Sequence, residues 1–317
     1  MNKKRNAVSY AKWGYIFVAP FVLVYLIFSL YPLLSTFFYS LFDYYRDGLT
    51  VIGPNFVGFD NFVKLFTPDK KGEIGILVYT GNTMIMWVMG AIPQLVFSLL
   101  LSIIFTGQRL NIKGQRFFKT VMYMPNLVMA AAFSMLFFTL LSNVGPINQI
   151  IVSFTGETFD FFGKVWSVRS VIAFINFVMW FGNTTILLMA GIMGIDQSLF
   201  EAASIDGASS GQVFFKITLP LLTPIMVYVA ITSLIGGLQM FDVPQIITAG
   251  MGTPNRSTMT LIMYLNNYLG ASKNYGMAGA VSVLIFIITG ILSIFVYMSL
   301  NADTGAEKKK KKAKKGV

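Results

Sequence analysis

The sequence predicts an all-α membrane protein with six transmembrane helices, and three observations predict it. Hydrophobic residues make up 55% of the 317 and charged residues only 12%, with a mean hydropathy of +0.68, a balance unlike that of soluble domains. The charges are gathered into short intervals, which leaves six stretches without an ionisable acid or base: 13–42, 74–108, 120–156, 170–195, 217–241 and 274–302. Each exceeds the roughly 20 residues that a helix needs to cross a hydrocarbon core about 30 Å thick. Lipid offers backbone groups no partners, so a spanning segment is a helix or a strand of a closed barrel, and these runs lack the alternation of barrel strands.

The first stretch follows Lys3, Lys4 and Arg5, as a signal peptide would. At 30 uncharged residues, with Pro20 and Pro32 in it, it is too long for a cleaved apolar region and reads as a retained helix. Residues 43–73 form an outer connection in which Val57-Gly-Phe59-Asp60-Asn61-Phe62-Val63-Lys64-Leu65-Phe66 repeats its apolar positions at helical spacing. An interfacial helix on the outer leaflet is expected there. After the second stretch comes a basic interval, Arg109 to Lys119, and then the third stretch. Its outer end opens a loop, 142–169, with the turn signal Asn143-Val-Gly145-Pro146. The fourth and fifth stretches are joined by an inner segment, 194–220. The third outer loop, 242–273, contains Gly250-Met-Gly252-Thr-Pro254 and then an apolar run from Met259 to Leu269, too short to span and expected to lie as a helix against the outer mouth. The sixth stretch leads into a Lys-rich tail, 303–317. No internal repeat or second soluble domain is evident, so the reading is a cytoplasmic N-terminus (1–12), one transmembrane domain (13–302) and a cytoplasmic tail.

Orientation follows from the basic residues. With the N-terminus inside, the inner segments hold 16 of the 24 Lys and Arg and five of the 13 acidic residues, for a net +11 inside and zero outside. Both termini are then expected in the cytoplasm of a cell-membrane protein. The tail from Lys308 to Lys315 reads as a solvated segment that sets topology and touches anionic lipid. With no aromatic or folded element beside it, nucleic-acid binding is not expected.

The absences exclude whole classes. There is no cysteine and no histidine, which removes disulfides, imidazole bases, the usual zinc sites and the triads that depend on them. A membrane-embedded enzyme would find no general base or metal cluster in these spans. Carriers that couple to protons or sodium usually keep a charge inside their spans, and none of the six has one. The only Gly-Lys pair, Gly163-Lys164, is followed by Val165 and is no phosphate-binding loop. Uphill movement of a solute would therefore draw its energy from a partner. A self-contained facilitator or secondary carrier is the alternative, and copurification of an ATPase discriminates between the two.

The inner segment carries the sharpest pattern. Glu201-Ala202-Ala203, Gly207, Ile217, Leu219 and Pro220 resemble at every fixed position the cytoplasmic signature of the permease subunits of type I ABC importers, and Asp206 and Ala208 match the form common among sugar permeases. Phe56-Val-Gly-Phe-Asp-Asn-Phe62, Met124-Pro125, Gly145-Pro-Ile-Asn148 and Tyr275-Gly-Met-Ala-Gly-Ala280 extend the resemblance along nearly the whole chain. They are similar to the first of the two paired subunits of the maltose and glycerol-3-phosphate class, without extra N-terminal helices. The resemblance implies a second permease subunit as heterodimer partner, two ATPase subunits that use ATP, an extracytoplasmic sugar-binding protein, and no cofactor on this chain. Independently of it, Asp196 or Ser198 can cap a short helix through Glu201 and Ala203, small Ala202, Ala203 and Ala208 allow close approach, and Gly207 permits the turn that ends it. A compact knob results, which in the family is the coupling helix seated on the ATPase.

For a pathway, Asn176, Trp180 and Asn183 share one face of the fourth helix. Two amides beside an indole suit a sugar's hydroxyls and its apolar ring face. Gly236, Gln239 and Met240 form a comparable stripe on the fifth helix, and Asn126 follows Pro125 on the third. The competing reading, that these amides tie helices together, is equally open at this level. Asn176 matches a residue identity in the family's sugar site, whereas Asn126, Asn183 and Met240 depart from it.

Overall fold

The computed structural model describes residues 11–69, 72–107 and 113–315. Lys3, Lys4, Arg5 and Arg109, on which part of the charge asymmetry rests, lie outside the described residues. Among those described, six helical stretches are long and apolar enough to cross a membrane: Lys12–Tyr39, Gly75–Thr106, Ala130–Thr155, Val165–Met193, Ser210–Ile247 and Tyr275–Leu300. They fall on the six uncharged intervals. The contacts divide the chain into two units, one of residues 1–67 with 265–284 and the other of 68–264 with 285–317.

The first unit begins with α1 (Ala11–Tyr25), a π-helical turn (Leu26–Leu30) and α2 (Tyr31–Tyr39). In the π turn the Tyr31 N–H reaches back five residues to the Leu26 carbonyl, just before Pro32, which has no N–H to continue the regular ladder. The connection after α2 opens with an antiparallel hairpin of β1 (Phe42–Asp47) and β2 (Thr50–Phe56), which the sequence pattern did not predict. Phe42 pairs with Phe56 and Asp47 with Thr50. Gly48, the first residue of the two-residue turn, sits at φ +57, the position where a type II′ hairpin turn favours glycine. The segment expected at the interface is helical over α3 (Asp60–Phe66). Its Asn61, 1% exposed, donates to the carbonyls of Ser40 at 3.0 Å and Phe42 at 2.9 Å and so fixes the helix to the hairpin's root. Phe59, Val63 and Phe66 stay exposed along one stripe.

The second unit is built on α4 (Gly75–Thr106) and α8 (Val165–Met193). Gly90 lets their backbones meet, since a Cβ there would lie 3.0 Å from the Ala173 carbonyl oxygen. Further along, Gln94 Nε2 donates to Thr184 Oγ1 at 2.7 Å and Ser98 Oγ to the Phe181 carbonyl at 2.8 Å, interhelical bonds of the kind that hold helices together where lipid supplies no hydrophobic drive. The third uncharged interval is not one rod. It comprises α5 (Gln115–Leu127), α6 (Ala130–Leu141) and, after a turn, α7 (Pro146–Thr155). Val128 and Met129 are extended between the first two, one turn after Pro125, which removes a backbone donor. α5 lies so close to α8 that a Cβ on Gly182 would overlap the Met122 carbonyl. Fully buried Asn148 closes the turn between α6 and α7: it donates to the Ser142 and Phe159 carbonyls at 3.0 Å each and accepts from the Phe159 N–H at 2.8 Å.

Beyond α8 come α9 (Gln197–Ile205), α10 (Ser210–Val213), a π turn (Phe214–Thr218), α11 (Leu219–Leu238), α12 (Asp242–Ile247) and α13 (Leu261–Leu269). The run Met259–Leu269 is thus a short helix. The last element, α14 (Tyr275–Lys315), continues as helix through the lysine run.

Candidate functional site

The second unit contains a cavity of about 210 Å³ between α4, α8 and α11. Asn176, Trp180 and Asn183 line it from α8, Gly236 lines it from α11, and Met240 just beyond that helix joins them. Gln239 is exposed at the end of α11 and is not among the lining residues. Neither is Asn126, which reaches from α5 to the Met179 carbonyl on α8 at 3.4 Å, a contact between helices. Asn176 spends its amide N–H locally, on the Ile172 carbonyl at 2.8 Å, with Met240 Sδ at 3.7 Å.

Five further side chains on two helices add to the wall, and the sequence reading missed them. Trp87 and Gln94 enter from α4, and Tyr228, Thr232 and Ser233 from α11. Trp87 fits because its neighbour on α11 is Gly237, and its Nε1 donates to Ser233 Oγ at 3.2 Å. The available signal was the pair Gly236-Gly237 one turn after Ser233, a site for close approach by a large ring. Trp180 and Tyr228 keep 47% and 57% of their surface exposed, so their rings are free to meet a ligand. The wall therefore offers indole and phenol rings, amides and hydroxyls, and no charge, a set that can hold a neutral polyhydroxylated molecule by stacking and hydrogen bonds.

At the far end of α8 stands the knob. Asp196 caps α9: its carboxylate accepts from the Ser198 N–H at 3.0 Å and the Ser198 hydroxyl at 2.9 Å, and these two bonds hold its pKa below the usual value. Of the two capping candidates, Asp196 is the cap and Ser198 its donor. The helix ends in a double closure, Gly207 N–H to the Ser204 carbonyl at 3.2 Å and Ala208 N–H to the Ala203 carbonyl at 2.9 Å, with Gly207 at φ +71, which is the Schellman arrangement. Ser209 then caps α10 in a reciprocal pair with Gln212. Helix accordingly resumes at Ser210, well before Pro220. The π turn at Phe214–Thr218, with the Leu219 N–H bonded to the Phe214 carbonyl, leads into α11, whose first turn holds Pro220. Of the signature residues Ala203 is buried, while Glu201, Ala202, Asp206 and Gly207 are exposed and Ala208 is half-buried. Ile205 is 87% exposed at the tip, a side chain left in water on this chain alone.

Six apolar helices, a polar uncharged cavity among three of them, and a capped helix projecting beyond the spans define a multi-pass membrane permease. Residues 94–302 match the family described as binding-protein-dependent transport system inner membrane component, and the chain belongs to that family. It is 29% identical over 300 residues to the probable ABC transporter permease protein YesP of Bacillus subtilis (strain 168), covering 94% of this chain and 93% of that one. It is 30% identical to the multiple sugar-binding transport system permease protein MsmF of Streptococcus mutans, over 89% of this chain and 93% of the relative. The fold is also that of a chain in the crystal structure of a bacterial ABC transporter involved in import of the acidic polysaccharide alginate, with a TM-score of 0.71, 18% identity and coverage of 92% and 96%. The family is one of transporter permeases rather than of enzymes.

Proposed function

We propose that this chain is one of two membrane subunits of an ATP-driven importer of a sugar or oligosaccharide, forming half of the translocation pathway. The wall of Asn176, Trp180, Asn183, Trp87 and Tyr228 is the observation that carries the substrate class, because stacking faces beside neutral hydrogen-bonding groups match sugar rings and hydroxyls. The name of the relative MsmF supports the same reading. In this reading both termini and the Glu201 knob are cytoplasmic. The knob, comprising Glu201, Ala202, Ala203, Asp206, Gly207 and Ala208, docks on one of two ATPase subunits, which use the ATP. A second permease completes the cavity, an extracytoplasmic binding protein delivers the sugar, and this chain carries no cofactor of its own.

The test is reconstitution. A tagged chain purified from its native membrane should bring with it an ATPase and a second permease, and the complex in liposomes, given its binding protein, should concentrate a labelled oligosaccharide only with ATP. Concentrative uptake by the single chain without ATPase or partner would establish a self-contained carrier instead.

A further inference from the structure

The faces of α4 and α8 that line the cavity continue past it, toward the end of α8 remote from the Glu201 knob, and there they meet a charged side chain. Arg169 lies two turns before Asn176 on one face of α8, and Asn82 lies one turn before Met86 on α4. Arg169 is only 9% exposed. Its Nη2 donates to Asn82 Oδ1 at 2.7 Å and to the Ser257 carbonyl at 2.9 Å, and its Nε donates to the same carbonyl at 3.0 Å. Asn82 Nδ2 donates in turn to the Arg256 carbonyl at 2.9 Å. The two side chains thus grip each other and the backbone of the segment between α12 and α13.

That segment is a preformed closed loop. The Thr258 N–H donates to the Gly252 carbonyl at 3.2 Å. Gly252 stands at φ +64, and a Cβ there would come within 2.8 Å of the Met259 backbone nitrogen. Asn255 and Arg256 hold φ of +54 and +56, a region that non-glycine residues occupy only when their surroundings enforce it. At the loop's end Thr260 Oγ1 donates to the Met240 carbonyl at 2.8 Å, and Met240 lines the cavity. The loop's position is therefore tied to the cavity wall at one end and to Arg169 at the other.

We propose that Gly252–Thr260 is a lid over the outer end of the cavity and that Arg169, through Asn82, is the latch that holds it closed. This rests on the reading of the cavity as the solute pathway. The guanidinium is bound by amide and carbonyl oxygens, so lifting the lid exchanges charge-assisted hydrogen bonds for bonds to water and strands no buried carboxylate, as separating an ion pair would. Such a contact is strong enough to set the resting position and is reversible. Because Thr260 carries the Met240 carbonyl, lid movement reaches the wall where Asn176 faces the Met240 sulfur.

The chain has no cysteine, so one introduced thiol reports on the cavity. Ser233→Cys, in the full complex in sealed vesicles without ATP, is exposed to a membrane-impermeant maleimide from the face opposite the Glu201 knob, and labelling of this subunit is read by mass. Labelling is expected to be slow with the latch intact and about tenfold faster or more with Arg169→Gln, the scale of losing charge-assisted hydrogen bonds. Asn82→Ala, which removes the latch from its other side, should do the same and carries the test if Arg169→Gln fails to assemble. Labelling from the Glu201 face should not change. An unchanged rate, an equal rise from both faces, or a drop in Tm of the complex without faster labelling would overturn the latch. The measurement needs no sugar, so an error in the substrate class leaves its outcome readable.

Discussion

Trp87 on α4 occupies the space that a side chain at Gly237 on α11 would need: a Cβ there would overlap the indole Cδ1. The glycine lets the ring seat between two spans with its Nε1 on Ser233 Oγ, so one missing methyl group sets the shape of the cavity wall.

Gly237→Ala should therefore act on the cavity first. Overpacking of this kind costs about 1–3 kcal/mol, and the ring has open space to move into on the cavity side. The expected outcome is reduced ATP-driven uptake, with the complex still assembling, and a Trp87→Leu second substitution that restores part of it. If Gly237→Ala transports normally, the ring does not define the pathway.

The polar face makes a separable prediction. Asn176 gives its N–H to its own helix, so Asn176→Ala should cost little stability while removing a group worth roughly 0.5–1.5 kcal/mol to a bound hydroxyl. Trp180→Ala removes a stacking platform. Both should raise the sugar concentration needed for half-maximal uptake and leave basal ATP hydrolysis in place. Asn126→Ala is the contrast, because its partner is the Met179 carbonyl of another helix: lower yield or Tm with unchanged sugar dependence is expected. Should Asn176→Ala behave like Asn126→Ala, the amide belongs to packing.

These assignments show what the sequence could and could not carry. Six uncharged intervals are a one-dimensional signal, and the six spans follow it closely, as do the cap at Asp196 and the turn at Gly207, whose chemistry is local. The hairpin β1–β2 was hidden because the hydrophobic run reaches Phe42 and ends inside its first strand; Gly48, first of the two turn residues, was the clue. The break at Val128–Met129 carries no charge and leaves hydropathy untouched. Trp87 and Arg169 were illegible for another reason. Trp87 depends on a glycine 150 residues away, and Arg169, at the edge of an uncharged stretch, reads as a loop cation until α4 and the Gly252–Thr260 segment close around it.

At the knob, Gly207 has open space around its Cα but a φ of +71, so the requirement is conformational rather than steric. An L-residue held left-handed costs about 1–2 kcal/mol, enough to loosen the closure onto Ala203 and Ser204. Gly207→Val should leave insertion and sugar binding intact but uncouple ATP hydrolysis from uptake, and Glu201→Lys should do so by reversing a surface charge. Gly207→Asn, a residue that tolerates this region, should retain more activity than Gly207→Val. Equal activity in the two variants would show that the turn does not matter to coupling.

The last prediction concerns acid. Ser198 lowers the Asp196 pKa through its backbone and then its side-chain donor, so the folded carboxylate titrates below its unfolded counterpart. A depressed carboxylate contributes its stability above the unfolded pKa and loses it as pH falls through the folded value. The cap on α9 is therefore complete throughout the neutral range and weakens only on acidification below the ordinary carboxylate pKa. Coupled uptake should show no step attributable to Asp196 between pH 6 and 8. Asp196→Asn keeps an accepting oxygen for the Ser198 N–H, and should preserve coupling at neutral pH while flattening any acid-side loss. Asp196→Ala frays the first turn of the knob and should uncouple at every pH. The check is the ratio of sugar moved to ATP hydrolysed, measured for the three proteins across the acid range. If Asp196→Ala couples as well as the parent at neutral pH, the cap is dispensable to the knob, and the helix is held by its Gly207 closure or by the partner it meets.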